Sequence, residues 1–168
     1  MKDFIYCQRD IPKDKWRYGL RSSAATGCGW IATHNALKLL GYTSNPEKLI
    51  EYFEKQVPLL NGNTGTFLLG PALFFKKFGF GVKTTARRAD FDTLAQESDV
   101  CILSYFWHKK FAVGAHFVAF HLTDNGFVGY NTYRQSTGPD SYGHSIDEFL
   151  KKHGYFGAVL TGIKDKRK

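Results

Sequence analysis

The spacing of apolar side chains changes along the chain, from a helical period in the first half to strand-like alternation in the second. The most regular helical segment runs from Cys28 to Leu40, with Thr26 predicted as its N-cap and Gly41 as the residue that ends it. Further helices are predicted from Pro46 to about Gln56, from Thr66 to Gly79 (unless Gly70-Pro71 marks its true start), after Asp90 and after Ser145.

The second half alternates apolar and polar positions in short runs bounded by glycine and asparagine. Residues 1–27 have no sustained period and are predicted to be mostly irregular. Because helices come first and an antiparallel sheet follows, the class is α+β. No repeat or linker divides residues 1–168, which predicts a single domain with a basic, solvated tail at 164–168. Strands are predicted at 80–85, 100–106, 116–122, 127–131 and 157–163, with a hairpin turn at Asn125-Gly126.

Composition and charge exclude several classes of function. The net charge of +8 arises from 23 basic and 15 acidic residues, but the basic pairs are scattered, whereas nucleic-acid binding calls for a basic stripe interleaved with aromatic residues. No apolar run reaches the roughly 18 residues of a membrane span, and the N-terminus lacks the apolar segment of a signal peptide. We therefore expect a cytoplasmic protein, or a secreted one if a signal peptide has been removed, without nucleic-acid or membrane partners; the sequence does not indicate its oligomeric state.

The chain has three cysteines, an odd number without the paired spacing of a zinc site, which argues against a disulfide scaffold or a metal centre. Cys101 lies in a buried-strand pattern and is predicted to be a core residue, while Cys7 has no predicted place. Cys28 heads a helix, where unpaired N–H groups and a partial positive charge predict a thiol pKa below the usual value of about 8.5. The alternative for Cys28 is a buried structural cysteine. No phosphate-binding loop is present, and no cofactor is expected.

The predicted hairpin selects one of the six histidines. His116 begins the first strand and Asn131 ends the second, so the two residues should lie side by side at the open end of the hairpin. A side-chain amide beside an imidazole can accept its N–H and orient the ring toward a nucleophile. The alternative is an ordinary polar pair across two strands. His34, six residues after Cys28, is predicted to be a partly buried polar residue.

The order of Cys28, His116 and Asn131 resembles that of the papain-like cysteine peptidases, and is more similar to the branch that processes bacteriocin leader peptides and to its bacterial relatives. The resemblance implies a papain-like fold with Cys28 as nucleophile, His116 as general base and acid, and Asn131 as the orienting residue. That branch usually has Asp where this chain has Asn131. The matching segments are 27–32, 114–119, 128–131 and 145–150.

The family pattern also places a glutamine six residues before the cysteine, as an oxyanion donor, and here that position is Ser22. Loss of such a donor can lower the rate by about a hundredfold or more. Gln8 is the preferred replacement, because the irregular N-terminal segment can fold toward the site; Ser22 and Ser23 are the alternatives.

The sequence therefore predicts a cysteine peptidase-like hydrolase that acts on peptide or isopeptide bonds of a peptide or protein substrate. The segment Trp107–Phe111, just before His116, is expected to form one wall of the cleft. Two alternatives remain open. One is a non-catalytic binding or immunity-type module on the same scaffold, and the other is an amidase or acyltransferase that acts on small molecules.

Overall fold

The computed structural model describes residues 4–56, 65–109 and 112–167. Short 3-10 turns lie at Gln8–Asp10 and Arg88–Asp90. The α-helices of the described ranges are Ser23–Thr26 (α1), Cys28–Leu39 (α2), Pro46–Gln56 (α3), Gly70–Lys77 (α4), Phe91–Gln96 (α5) and Ile146–Lys152 (α6).

The described strands pair antiparallel throughout. Strands β1 and β2 form a small separate ribbon, and the others form one sheet in the order β3-β8-β4-β5-β6-β7. The strands are Arg17–Tyr18 (β1), Arg21–Ser22 (β2), Gly81–Thr85 (β3), Val100–Lys109 (β4), Ala112–Thr123 (β5), Gly126–Tyr130 (β6), Asp140–Gly143 (β7) and Phe156–Lys164 (β8).

The larger sheet is covered on both faces. Helices α2, α3 and α4 pack on the face that carries Ile102 and Phe117, and α5 and α6 pack on the face that carries Leu103 and Val118. Successive side chains of a strand point to opposite faces, so neighbouring residues of β4 and β5 belong to different cores. The α+β class predicted from the sequence is confirmed.

The entry into α2 differs from the prediction. The chain reaches Cys28 from another short helix, α1, which ends at Thr26, so Gly27 occupies the N-cap position and makes no side-chain capping bond. The Thr26 hydroxyl is buried without a hydrogen-bond partner among the described residues, so its prediction as the N-cap is wrong. Gly27 is required by packing, because a Cβ there would lie 2.6 Å from both the Ser23 carbonyl oxygen and Trp30 Nε1.

Most other predicted boundaries hold to within a few residues. Gly41 ends α2 with φ +88°, and Asp124 and Asn125 join β5 to β6, one residue earlier than the predicted Asn125-Gly126 turn. Helix α4 begins at Gly70 rather than Thr66, because Pro71 suits the first turn of a helix. Residues 17–26, predicted to be irregular, form β1, β2 and α1, since pairing across a short turn needs no long periodic pattern. Strand β7 was not predicted.

The C-terminal segment is more ordered than predicted. Lys164 pairs with Gly81 at the end of β8. Asp165 is 5% exposed and accepts hydrogen bonds from the Tyr42 hydroxyl and from Arg167. These contacts hold Asp165 and Arg167 in place, and Asp165 is buried, whereas Lys164, Lys166 and Arg167 are exposed to solvent as predicted for this segment. Among the described helices, none has the length and apolar character needed to cross a bilayer.

Candidate active site

Cys28 lies at the first position of α2, where the helix meets β5. Backbone N–H groups of the helix start and of Phe117 in β5 lie near its sulfur, and the residue is 8% exposed. Burial raises the thiol pKa to about 11, and the N–H groups of Phe117, Gly29 and Cys28 itself only partly oppose this. The pKa below 8.5 predicted from the helix terminus is therefore wrong. The physical reason is that loss of hydration outweighs the N–H donors, so the thiol is neutral at neutral pH.

We accordingly expect Cys28 to react slowly with iodoacetamide at pH 7.5, at least about tenfold more slowly than the same cysteine in the unfolded chain. The rate should still be rising at pH 10, because the thiol pKa lies at about 11. Peptide mapping by mass spectrometry, with and without denaturant, measures the labelling rate of Cys28 and its dependence on pH. Rapid labelling of Cys28 that levels off below pH 8 would contradict this expectation, and Cys101, with a pKa raised to about 12 by burial, is the matched internal control.

His116 lies on β5 opposite Tyr105 of β4, and the two rings are 5.9 Å apart in an edge-on arrangement. Its Nε2 lies 2.6 Å from the backbone carbonyl oxygen of Asn131. A carbonyl oxygen can only accept a hydrogen bond, so Nε2 carries the proton and Nδ1 of the neutral ring holds a lone pair. Burial lowers the pKa of His116, although the Asn131 carbonyl opposes the shift. The ring is thus a neutral base near pH 7.

Asn131 lies beside His116, as the predicted hairpin requires, but its side chain does not contact the ring through a hydrogen bond. The residue follows the end of β6 in a left-handed conformation, with φ 64°, which turns its carbonyl toward His116. Its amide instead accepts the Gln8 backbone N–H at 2.8 Å and donates to Gln8 Oε1 at 3.2 Å. The backbone of Asn131 therefore occupies the position predicted for its side chain.

Gln8 is folded toward the site, as predicted, by its bonds to Asn131 and by donation from Nε2 to the Ala24 carbonyl at 3.1 Å. The alternative oxyanion donors lie elsewhere. The Ser23 hydroxyl is buried and accepts the Trp30 indole N–H, and Ser22 occupies the N-cap position of α1. Neither serine is among the residues that line the cavity described below.

The strand arrangement brings Cys28 close to the middle of β5, where His116 lies, without joining the two side chains. The Phe117 N–H faces the Cys28 sulfur, and the Phe117 side chain packs in the same core as α2. The His116 ring lies on the other side of the strand with Tyr105. Among the described residues no hydrogen bond links the sulfur to the imidazole. The two groups are therefore adjacent through one residue of backbone but are not hydrogen-bonded to each other.

A cavity of about 680 Å³ adjoins His116, Asn131 and Gln8. Trp107 and His108 line it, as predicted for the wall formed by 107–111; the rest of that prediction concerns the Lys109 side chain and residues 110–111, which lie outside the described parts. Cys28 is not among the lining residues. Sequence reasoning missed several that are, namely Cys7, Tyr105, Tyr133, Arg134, His153 and Tyr155.

One signal in the sequence points to part of this wall. Tyr105 lies in the predicted strand 100–106 and Trp107 follows directly after it, so a strand that runs one residue further places both side chains on the same face. The contribution of His153 and Tyr155 depends on where α6 ends against the sheet, and no local pattern encodes that. Tyr155 stacks on Tyr105 with ring centroids 4.3 Å apart, and His153 stacks on Tyr155 at 5.3 Å.

The remaining candidate residues have structural surroundings. Cys101 is 1% exposed within β4, which confirms its predicted place in the core. Cys7 is buried, and its thiol donates to the Arg134 carbonyl at 3.0 Å. His34 is 3% exposed and bonded to the Ser44 hydroxyl. All three cysteines are free, and within the described ranges no three His, Cys, Asp or Glu side chains are grouped to hold a metal ion.

No family model matches the chain, and no curated protein matches it either. Solved structures do match. One is the peptidase domain of Streptococcus ComA, described as a bi-functional ABC transporter involved in a quorum-sensing pathway, with a TM-score of 0.55 and 14% sequence identity over 84% of this chain and 93% of that domain. The chain has a papain-like α+β fold. This fold sets the end of α2 that carries Cys28 against the strand that carries His116.

Proposed function

We propose that the protein is a thiol hydrolase of peptide or isopeptide bonds, with Cys28 as nucleophile and His116 as general base and acid. The observation that carries the proposal is the bond from His116 Nε2–H to the Asn131 carbonyl. It leaves Nδ1 as a proton acceptor one residue away from Phe117, whose backbone N–H lies near the Cys28 sulfur. Likeness of fold to a peptidase domain supports a peptide substrate.

The reaction proposed starts from a neutral pair, because the thiol pKa is raised and the imidazole pKa is lowered. As the sulfur of Cys28 attacks the substrate carbonyl carbon, the thiol proton passes to Nδ1 of His116. The imidazolium then gives this proton to the leaving amine, and a thioester forms. Water, deprotonated by His116, hydrolyses the thioester and restores the thiol. Catalytic hydrogen bonds are often long in unliganded sites and shorten with substrate, so bound substrate is proposed to bring Nδ1 and the sulfur together.

Backbone N–H groups at the start of α2 are proposed to stabilise the oxyanion. The N–H groups of Cys28 and Gly29 belong to the first turn of the helix, where no intrahelical carbonyl is available to them. Gln8 uses one amide N–H for the Ala24 carbonyl, and its second N–H is the proposed side-chain donor. This keeps the role predicted for Gln8 and adds the positioning of Asn131.

A specific observation favours a second candidate function, a peptide-binding module without catalysis. Cys28 is only 8% exposed and does not line the cavity, whereas His116 and Asn131 do. In this case the cavity would bind its ligand and the thiol would serve packing alone. The same cavity volume suits a small amide or ester, so amidase or acyltransferase activity is tested together with peptide hydrolysis.

The test is a panel of fluorogenic peptides, isopeptide-linked peptides and small acyl esters and amides, incubated with the wild-type protein and with Cys28→Ala. Intact-mass spectrometry follows the protein while fluorescence follows the product. A hydrolase should cleave a peptide or isopeptide bond and show an acyl adduct on Cys28. Cleavage of small esters or amides alone would support the amidase. Binding of peptides without any adduct or product would support the binding module.

The backbone role of Asn131 makes a prediction that differs from the usual side-chain role. Asn131→Gly keeps the carbonyl and favours the left-handed conformation, and it removes both side-chain bonds to Gln8. We expect kcat to fall about tenfold or less. Asn131→Ala should cost about 1 kcal/mol more in stability because alanine is strained at φ 64°. Steady-state kinetics and thermal unfolding measure the two effects. A loss above about a hundredfold in a folded Asn131→Gly protein would show that the amide, not the carbonyl, orients the ring.

A further inference from the structure

The lining of the cavity is basic. Besides His116 it includes His108 and His153 and two arginines, Arg9 and Arg134, and the described lining contains no aspartate or glutamate. Both arginines are exposed at the surface beside the cavity. We call Arg9 and Arg134 the basic rim.

Three hydrogen bonds bring the two parts of the basic rim together. The Cys7 thiol donates to the Arg134 carbonyl at 3.0 Å, and Gln8 and Asn131 exchange two bonds. These contacts tie the segment that precedes Arg9 to the segment that precedes Arg134, although the two segments are more than 120 residues apart in sequence. The positions of the two residues at the cavity are thus set by the same contacts that place Asn131.

Three of the other five arginines of the chain pair with its own carboxylates, and Arg17 donates to the Leu20 carbonyl. Arg87 pairs with Asp90, Arg88 with Asp147 and Arg167 with Asp165. Within the described residues neither guanidinium of the basic rim has an ion-pair or hydrogen-bond partner; the same holds for Arg21, which does not line the cavity. A guanidinium presents a planar fork of donors that matches a carboxylate, and two of them at a cavity without acidic residues favour an anionic ligand.

We propose that this cavity selects peptides that carry a carboxylate near the scissile bond, read by Arg9 and Arg134. The proposal rests on the proposed peptide-hydrolase function of the same site. The carboxylate belongs either to an Asp or Glu side chain or to the C-terminus of the substrate chain, since both present the same group. The cavity would thereby bind the acidic substrate on the rim and place the neighbouring carbonyl toward His116.

The experiment uses a positional peptide library in which each position in turn is Glu or Gln, and each peptide has a free or an amidated C-terminus. Cleavage is measured as kcat/KM with the wild-type protein, and peptide binding is measured by fluorescence anisotropy with Cys28→Ala. We expect the Glu or free-acid form to be preferred by about tenfold in low salt, and the preference to shrink in high salt. In the double variant Arg9→Gln/Arg134→Gln the ratio should fall to about one. Arg87→Gln is the matched control, because Arg87 has an exposed side chain and does not line the cavity; this variant should keep the preference for the carboxylate form.

The outcomes separate this proposal from the function on which it rests. Cleavage without preference between carboxylate and amide forms, or a preference that survives in the double variant, overturns the basic rim as a recognition element while the hydrolase stands. Binding preference in Cys28→Ala without cleavage by the wild type keeps the rim and overturns the hydrolase. A Glu preference with amidated ends identifies a side chain as the ligand, and a preference for free ends alone identifies the C-terminus.

Discussion

Replacement of Cys28 by alanine should lower peptide hydrolysis by about 10⁴-fold or more, because it removes the atom that forms the thioester. The change is small in volume, and the residue lies at a helix start already packed against β5. We therefore expect the protein to remain folded, with only a modest decrease in its free energy of unfolding. Assays on the best substrate of the panel, with circular dichroism and thermal unfolding as checks on folding, measure the effect.

Cys101→Ala is the matched control, since Cys101 is also a free, buried cysteine and lies within β4. Its activity should stay within about threefold of the wild type. Equal activity of Cys28→Ala and Cys101→Ala would exclude Cys28 as the nucleophile, and the hydrolysis would then depend on another residue.

Replacement of His116 by alanine should lower activity at pH 7.5 by about 10³-fold and change its dependence on pH. Without the base, attack requires the thiolate, and with a thiol pKa of about 11 only about one molecule in several thousand carries it at that pH. The rate of His116→Ala should therefore rise about tenfold per pH unit until the pH approaches 11. A variant that keeps the wild-type profile would show that His116 does not accept the thiol proton.

The wild type should lose activity on the acid side only. Its base must be neutral, and burial lowers the pKa of His116 below 6.5, so kcat/KM should be level from about pH 7 to pH 9 and fall as the pH drops through the lowered value. His153→Gln is the control, because His153 lines the same cavity and its pKa is also lowered by burial. In this variant kcat/KM should still fall at low pH as it does in the wild type. A bell-shaped profile that declines above pH 8 would instead indicate a thiolate–imidazolium pair.

A neutral pair explains how this site would combine a buried thiol with hydrolysis at neutral pH. The three N–H groups around the Cys28 sulfur do not offset its loss of hydration, so charge develops only as the proton moves to His116. In such a site the thiol reacts slowly with small alkylating reagents, yet it attacks a substrate that fills the cavity. Slow alkylation and rapid turnover are thus compatible expectations, and the two measurements test different parts of the mechanism.

Local signals in the sequence predicted most of the elements that carry the site. Gly41 ends α2 and Ser145 caps α6 by accepting the Glu148 N–H, because these signals act within one helical turn. The Asn125-Gly126 turn fixed the pairing of β5 with β6, and this pairing placed Asn131 beside His116 without reference to any relative. The Thr26 cap failed because α1, a helix of four residues, leaves too little pattern to be recognised.

The sequence by itself determined the α+β class, the helix that begins at Cys28 and the hairpin that joins His116 to Asn131, since each depends on contacts between residues close in the chain. Only the tertiary structure decided the charge state of the thiol, the use of the Asn131 carbonyl in place of its amide, and the meeting of Cys7 with Arg134. These features depend on burial and on contacts between distant segments. The hydration lost on burial and the direction of a single carbonyl produce no periodic pattern in the amino-acid sequence.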